Sequence, residues 1–97
     1  MKSFFLYILR CGDGSLYVGQ TNDLDRRLAQ HRSGDPQGFT SLRHPLKLVH
    51  VEEFPTRREA FERERQIKGW TKAKKEALIA GDWERVKKLA RGPDREH

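Results

Sequence analysis

The chain opens on two short apolar runs that flank a turn signal. Residues 4–9 are aromatic or branched without a polar interruption, and residues 16–18 repeat that character after Asp13-Gly14. Because Asp-Gly between two such runs favours a tight antiparallel hairpin, the pattern predicts strands at about residues 3–11 and 15–19. The unbroken apolar character of the first run predicts a strand that is covered on both faces.

Capping side chains and glycines mark the middle of the chain. Residues 21–23, Thr-Asn-Asp, carry oxygens that accept hydrogen bonds from free backbone N–H groups, so a first helix is predicted to begin there. Gly34 is predicted to end it. The stretch from 34 to 45 contains two turns that each include a glycine, and it is predicted as a loop. The β-rich residues 46–54 are predicted as a third strand.

The C-terminal half predicts three helices. Thr56 and Glu59 have the spacing of a capping box, which predicts a helix over about residues 57–68. A third helix is predicted from a Thr71 cap to Ala80. Gly81-Asp82 then restarts a fourth helix, which is expected to end near Arg91. The chain is therefore predicted to be one α+β domain over residues 1–91, with a core at about 3–80, a helical extension at about 82–91 and a charged tail at 92–97.

One acidic residue falls on an apolar helix face. At 100° per residue, Ala60, Phe61 and Ile67 define the predicted buried stripe of the second helix, and Glu64 lies near its centre. An unpaired carboxylate is costly in such a position, so it needs a basic side chain, a hydrogen-bond network or a metal ion as its partner. The sequence leaves a structural salt bridge and a metal ligand both open.

The first helix has a similar anomaly. His31 falls between Leu24 and Leu28 around the helix axis, and Arg27 flanks it one turn away. A lone inward histidine is usually a hydrogen-bonded core residue. An inward arginine beside it favours an anion site, because both side chains are good phosphate ligands and arginine offers a planar fork of donors.

The strands contribute two phenols and a glycine. Tyr7 and Tyr17 lie in the paired strands, and an ordinary core position is the simplest interpretation of each. Gly19 is more informative, because glycine inside a strand often marks the close approach of another group. Trp70 and Trp83 are predicted to be core or helix-packing anchors rather than base-stacking residues.

Composition and charge indicate which class of partner the chain binds. The 97 residues carry a net charge of +6 with a sequence pI near 9.8, which favours a polyanion. Solvated helix faces are the alternative explanation for most basic residues. The nucleic-acid binding predicted from these residues is weak and without sequence readout. The side chains predicted to contribute are Arg57, Arg58, Arg63, Lys72, Lys74 and Lys75, with Lys87 and Lys88 in the same half of the chain.

Cysteine usage and hydropathy suggest the compartment. Cys11 is the single cysteine and is expected to be a buried filler. The longest apolar run, residues 4–9, is too short for a membrane span or a signal-peptide core. We therefore expect a cytoplasmic protein with no membrane partner.

The motifs taken together resemble those of a known family. Phe5-Leu6-Tyr7, followed ten residues after Tyr7 by Tyr17-Val18-Gly19, resembles the paired strand motifs of the GIY-YIG nuclease superfamily, although the first motif keeps only its tyrosine. Residues 23–31 resemble its first helix, with Arg27 and His31 at the matching positions. Residues 60–68 resemble its second helix, with Glu64 at the position of the metal-binding glutamate. The length and the Ile67-Lys68-Gly69-Trp70 segment are most similar to those of small stand-alone bacterial members.

This resemblance implies a three-stranded antiparallel sheet flanked by helices and a single-metal phosphodiesterase. Glu64 would hold one Mg²⁺ or Mn²⁺ ion, and Arg27 would offset charge on the transition state. Tyr17 is the first choice for activating water and Tyr7 the second, with His31 binding the phosphate or orienting the base. Gly19 would keep room for the cleaved strand. The implied substrate is nucleic acid, in the first instance DNA.

Two other functions compete with catalysis. One is a nucleic-acid-binding module on the same fold that does not cleave, or that needs a protein partner to supply specificity. The other is an interaction domain whose helical face binds a larger enzyme. A dependence of DNA binding on salt and on Arg27 separates the last from the other two.

Overall fold

A computed structural model describes residues 3–33 and 45–90 of the chain. The described elements are, in order, β1 (Phe4–Arg10), β2 (Leu16–Thr21), α1 (Leu24–Arg32), β3 (Lys47–Phe54), α2 (Arg57–Lys68), α3 (Lys72–Ile79) and α4 (Trp83–Ala90). The predicted element order and α+β class are confirmed. No described helix is both long and apolar enough to span a bilayer.

The three strands form one antiparallel sheet with β1 in the middle, in the order β2-β1-β3. Gly14 turns the β1–β2 hairpin at a φ of 87°, a left-handed conformation that suits glycine. The register sets Tyr7 opposite Gly19 on one side and Val51 on the other. The predicted hairpin and three-stranded sheet are therefore confirmed.

The central strand is buried on both faces, as its apolar run predicts. Leu6 and Ile8 point to one face and pack with Ile67 and Leu78 of the C-terminal helices. Tyr7, Leu9 and Leu28 form a second buried cluster on the opposite face. Because side chains alternate along a strand, these neighbouring residues serve two separate cores.

The element boundaries follow local capping chemistry. Asp23 caps α1 by accepting a hydrogen bond from the Arg26 backbone N–H, and Thr56 does the same for α2 through Glu59. β2 extends to Thr21, two residues beyond its predicted end. α1 ends at Arg32, just short of the predicted stop. Residues 34–44 of the predicted loop, which include the predicted helix stop Gly34, lie outside the described residues, as do Arg91 and the predicted tail at 92–97.

Two aromatic predictions are wrong. Phe61 is 45% exposed rather than buried, because the inward line of α2 runs through residues at i, i+4 and i+7, and Phe61 lies beside that line under the Arg65 guanidinium. Trp83 is 57% exposed at the start of α4 and is not a packing anchor. Trp70, in contrast, packs against the core as predicted. Cys11 is buried, as expected.

Candidate active site

Three of the predicted site rings meet on one face of the sheet. The side chains of Tyr7 and Tyr17 come from the paired strands, and His31 reaches them from α1. The His31 ring centroid lies 5.0 Å from that of Tyr17 and 5.8 Å from that of Tyr7, both edge-on. His31 and Tyr7 are almost completely buried, so this arrangement is fixed by packing.

The Tyr7 hydroxyl is the centre of a hydrogen-bond network. Arg27 Nε donates to Tyr7 Oη at 3.3 Å, and a 2.9 Å hydrogen bond joins the same oxygen to His31 Nε2. Because Arg27 already donates to the oxygen, the phenol is able to give its own proton to His31. Burial raises the pKa of Tyr7 to about 12, although the hydrogen bond from Arg27 opposes that shift. At neutral pH the phenol therefore stays protonated.

Gly19 lies directly under this phenol. A Cβ atom at Gly19 would lie 2.5 Å from Tyr7 Oη, 2.6 Å from Tyr7 Cζ and 3.1 Å from Tyr17 Cε1. Such separations are well inside van der Waals contact, so no other residue fits without moving the rings. The group that approaches the backbone here is thus a side chain of the protein itself.

Arg27 connects the buried network to the surface. Its Nη1 donates to Gln30 Oε1 at 3.3 Å, while its Nε faces Tyr7. The hydrogen bond to Tyr7 raises the pKa of Arg27, with burial opposing this effect. Arg27 is only half-buried. Its guanidinium is therefore a fixed positive charge whose outer side remains accessible to an anion.

Glu64 lies on the inward line of α2 between Ala60 and Ile67, and its side chain is only 14% exposed. Its charge raises the pKa of Tyr7, as the smallest of the effects that act on that phenol. Lys68, one turn later and 54% exposed, lies with its Nζ 3.1 Å from Glu64 Oε2. The salt bridge left open by the sequence is thus present.

The donor set limits which metal ion could bind. Within residues 3–33 and 45–90, no three His, Cys, Asp or Glu side chains converge on one point. A single carboxylate suits an ion such as Mg²⁺, which dehydrates reluctantly and keeps several water ligands. The partly buried carboxylate of Glu64 fits that requirement.

The predicted binding side chains are engaged to different extents. Arg63 forms a bidentate pair with Glu52, with its Nε donating at 2.8 Å and its Nη2 at 3.1 Å. Arg58 pairs with Glu62 on the α2 surface, and Arg57 lies over the Phe4 ring. Lys74 Nζ lies 4.1 Å from the centroid of the Trp70 ring. Contact between nucleic acid and any of the six side chains, Lys72 and Lys75 included, stays a prediction.

Other side chains near the site were not predicted from the sequence. Lys68 contacts the candidate ligand Glu64, and an i, i+4 Glu–Lys pair on α2 was the signal for it. Arg26 lines a cavity next to Arg27. Two consecutive arginines in the first turn of a helix, where the macrodipole favours acidic residues, were the available signal.

Comparison with known proteins agrees with this architecture. Residues 3–77 match the family model described as the GIY-YIG catalytic domain. A UPF0213 protein of Bacillus pumilus is 47% identical over 75 residues, covering 77% of this chain and 76% of that protein. A UPF0213 protein of Natronomonas pharaonis is 41% identical over 78 residues, covering 80% of this chain and 92% of that protein.

Two solution NMR structures share the fold. The UPF0213 protein BH0048 from Bacillus halodurans superposes with a TM-score of 0.56 at 40% identity, covering 82% of this chain and 85% of its own. The protein EF2693 from E. faecalis superposes with a TM-score of 0.59 at 38% identity, covering 84% and 86% respectively. None of these four names states an activity.

Proposed function

Because the chain belongs to the GIY-YIG catalytic domain family, we propose that it is an endonuclease that hydrolyses nucleic-acid phosphodiester bonds, in the first instance those of DNA. The observation that carries the proposal is the hydrogen-bonded contact of Tyr7, His31 and Arg27 on one face of the sheet, with the charge of Glu64 acting on the same phenol. A purely structural core would not need a phenol, an imidazole and a guanidinium joined by hydrogen bonds. The catalytic unit in this proposal is the single domain of residues 1–91.

Arg27 and Glu64 act on the charge of the substrate in this proposal. Arg27 binds a non-bridging oxygen of the scissile phosphate through the side of its guanidinium that faces solvent, and it offsets the charge that develops in the transition state. Glu64 would hold one Mg²⁺ or Mn²⁺ ion, which would supply Lewis-acid stabilisation of the developing negative charge. Arg27 keeps its charge at any working pH because the pKa of its guanidinium is raised above an already high value.

The two phenols take different roles. Tyr7 has a pKa near 12 and its hydroxyl is enclosed by Arg27 and His31, which suits it to positioning rather than to proton abstraction. Tyr17 is less buried and lies beside the same imidazole. We therefore assign the activation of water to Tyr17, with His31 fixing the orientation of both rings.

The test is removal of the candidate metal ligand. Glu64→Gln should abolish cleavage of nicked, branched and single-stranded DNA in Mg²⁺ or Mn²⁺ while retaining the fold and DNA binding. Glu62→Gln is a matched control, because Glu62 lies on the exposed side of the same helix and pairs with Arg58. Cleavage by the Glu64 variant at the wild-type rate would remove Glu64 from the mechanism.

A binding module that does not cleave on its own is the second candidate. It is favoured by the ion pair between Glu64 and Lys68, because an acid already paired with an ammonium group does not require a metal ion. This candidate includes a protein partner that supplies specificity. It predicts salt-dependent DNA binding by the isolated chain with no cleavage in either metal ion.

A further inference from the structure

A polar cavity of about 690 Å³ opens beside the candidate active site, between the outer end of the sheet and the first turns of α1. We propose that it is a subsite for one unpaired nucleotide, adjacent to the phosphodiester that is cleaved. The inference rests on the proposed function and adds to it the kind of substrate that the site accepts. The cavity is lined by Ser3, Phe5, Thr21, Asn22, Asp23, Arg26, Arg27 and Gln30.

Arg27 joins the cavity to the catalytic network. Its Nε faces Tyr7, whereas its Nη1 donates to Gln30, and both Arg27 and Gln30 line the cavity. A phosphate held by the outer side of this guanidinium would therefore lie at the cavity's edge. The next nucleotide along the same strand could then enter the cavity, because Arg27 lines it.

The lining side chains match the parts of a nucleotide. Phe5 lies two residues before Tyr7 on the same face of β1 and is half-buried, so its ring can stack on a base of any sequence. The Asn22 amide has a donor and an acceptor for a base edge, and Arg26 offers charged donors for a phosphate. Asn22 and Arg26 have exposed side chains, and neither makes a side-chain hydrogen bond or ion pair with the described part of the chain.

Two other lining residues, Thr21 and Asp23, already form hydrogen bonds within the fold. Thr21 Oγ1 accepts from the Asp23 backbone N–H at 3.1 Å, and the Asp23 carboxylate accepts from the Arg26 backbone N–H at 3.1 Å. These bonds hold the start of α1, so the loop that carries Asn22 is preorganised. With two arginines and one aspartate, the lining keeps a net positive charge.

The size of the cavity favours a single nucleotide over a duplex. Small-molecule sites span roughly 300–1,000 Å³, and this volume lies within that range. A base pair stacked within a duplex cannot enter such a recess without leaving its neighbours. The expected ligand is thus a nucleotide in a single-stranded flap, gap or end.

Binding can be tested without metal, and so without cleavage. The chain labelled with ¹⁵N would be titrated with dTMP, with inorganic phosphate and with a single-stranded oligothymidylate while amide shifts are followed. We expect dTMP and the oligonucleotide to shift the amides of Phe5, Asn22 and Arg26, the oligonucleotide binding more tightly. Phosphate alone should leave Phe5 and Asn22 unshifted. Absence of these shifts, or equal affinity for dTMP and the strand, would overturn the proposal.

Substitutions in the cavity give a second readout. Arg26→Ala and Asn22→Ala should each weaken binding of the oligonucleotide, by about tenfold for the arginine, because a charged hydrogen bond is lost. Arg32→Ala is the matched control, since Arg32 is an exposed arginine of the same helix that does not line the cavity. Equal losses in Arg26 and Arg32 variants would indicate general electrostatic attraction and contradict a subsite.

Cleavage assays then separate this proposal from the proposed function. If the wild-type chain cleaves, Arg26→Ala should raise KM for DNA carrying an unpaired strand by about tenfold while leaving kcat near the wild-type value. A cleaving enzyme that shows no cavity shifts would refute the subsite alone. Cavity shifts in a chain that does not cleave would support the subsite and refute the nuclease activity.

Discussion

Gly19→Ala is the substitution whose effect follows most directly from the geometry. The added Cβ would lie 2.5 Å from Tyr7 Oη and 2.6 Å from Cζ, whereas ordinary contact begins at 3.4 Å. The Tyr7 ring would therefore have to move by about 1 Å. Tyr7 has no exposed surface, and its hydroxyl is held by His31 and Arg27, so the ring has no free space to move into.

The expected cost has two parts. Overpacking of a buried site costs about 1–3 kcal/mol. Displacing the Tyr7 hydroxyl from its hydrogen bonds costs about 1 kcal/mol more. We expect the free energy of unfolding to fall by roughly 2–4 kcal/mol, which a domain of ordinary stability would survive with its fold intact.

A double-mutant cycle identifies the cause. Urea denaturation would be measured for wild type, Gly19→Ala, Tyr7→Leu and the double variant. Leucine lacks the atoms that the new Cβ would meet. The loss in the free energy of unfolding caused by Gly19→Ala should therefore be smaller by at least about 1 kcal/mol in the Tyr7→Leu background. Additive losses would refute the reasoning. If Gly19 instead makes room for the cleaved strand, Gly19→Ala should keep wild-type stability and lose DNA binding.

Two further predictions concern the charged groups of α2 and β3. Lys68→Met should tighten Mn²⁺ binding, measured by calorimetry, by up to about fivefold, because the Lys68 ammonium and the ion compete for Glu64. Lys87→Met is the control. Weaker Mn²⁺ binding by the Lys68 variant would contradict the competition. Burial favours protonation of Glu52, but hydrogen bonds from His50 and Arg63 outweigh it and lower the pKa of Glu52 to about 2. This lowered pKa stabilises the fold above about pH 4.5, and the stabilisation is lost as the pH falls toward 2. Urea titrations should therefore show that the stability advantage of wild type over Glu52→Gln, about 1–2 kcal/mol at most after solvent screening, shrinks across that interval. A constant difference would contradict the assignment.

Helical periodicity correctly predicted the inward position of site residues whose burial depends on a single helix. His31 and Arg27 were expected beside the apolar stripe of the first helix, and the structure brings both to Tyr7. Glu64 was expected on the inward face of its helix, and it lies there, although Phe61 was wrongly included in the stripe. The error arises because a helical pattern defines an apolar side but not how far the neighbouring elements cover it.

Features that depend on two elements were not accessible from the sequence. Gly19 was expected to accommodate a close neighbour, but the identity of that neighbour, Tyr7, follows from strand register. The exposure of Trp83 depends on what packs on α4, which local patterns do not encode. The cavity next to Arg27 requires β1, β2 and the start of α1 together.

The burial of these groups suggests how substrate reaches the site. Tyr7 and His31 are fully enclosed, so neither can meet solvent or a phosphate until the rings move. Arg27 and Glu64 retain exposed surface, and each has a contact at the rim of the site, Gln30 for the first and Lys68 for the second. For the proposed function, we therefore expect the phosphate to arrive from the Arg27 side and the ion from the Glu64 side. A buried interior that positions two partly exposed charged groups is the arrangement that preorganised catalysis requires.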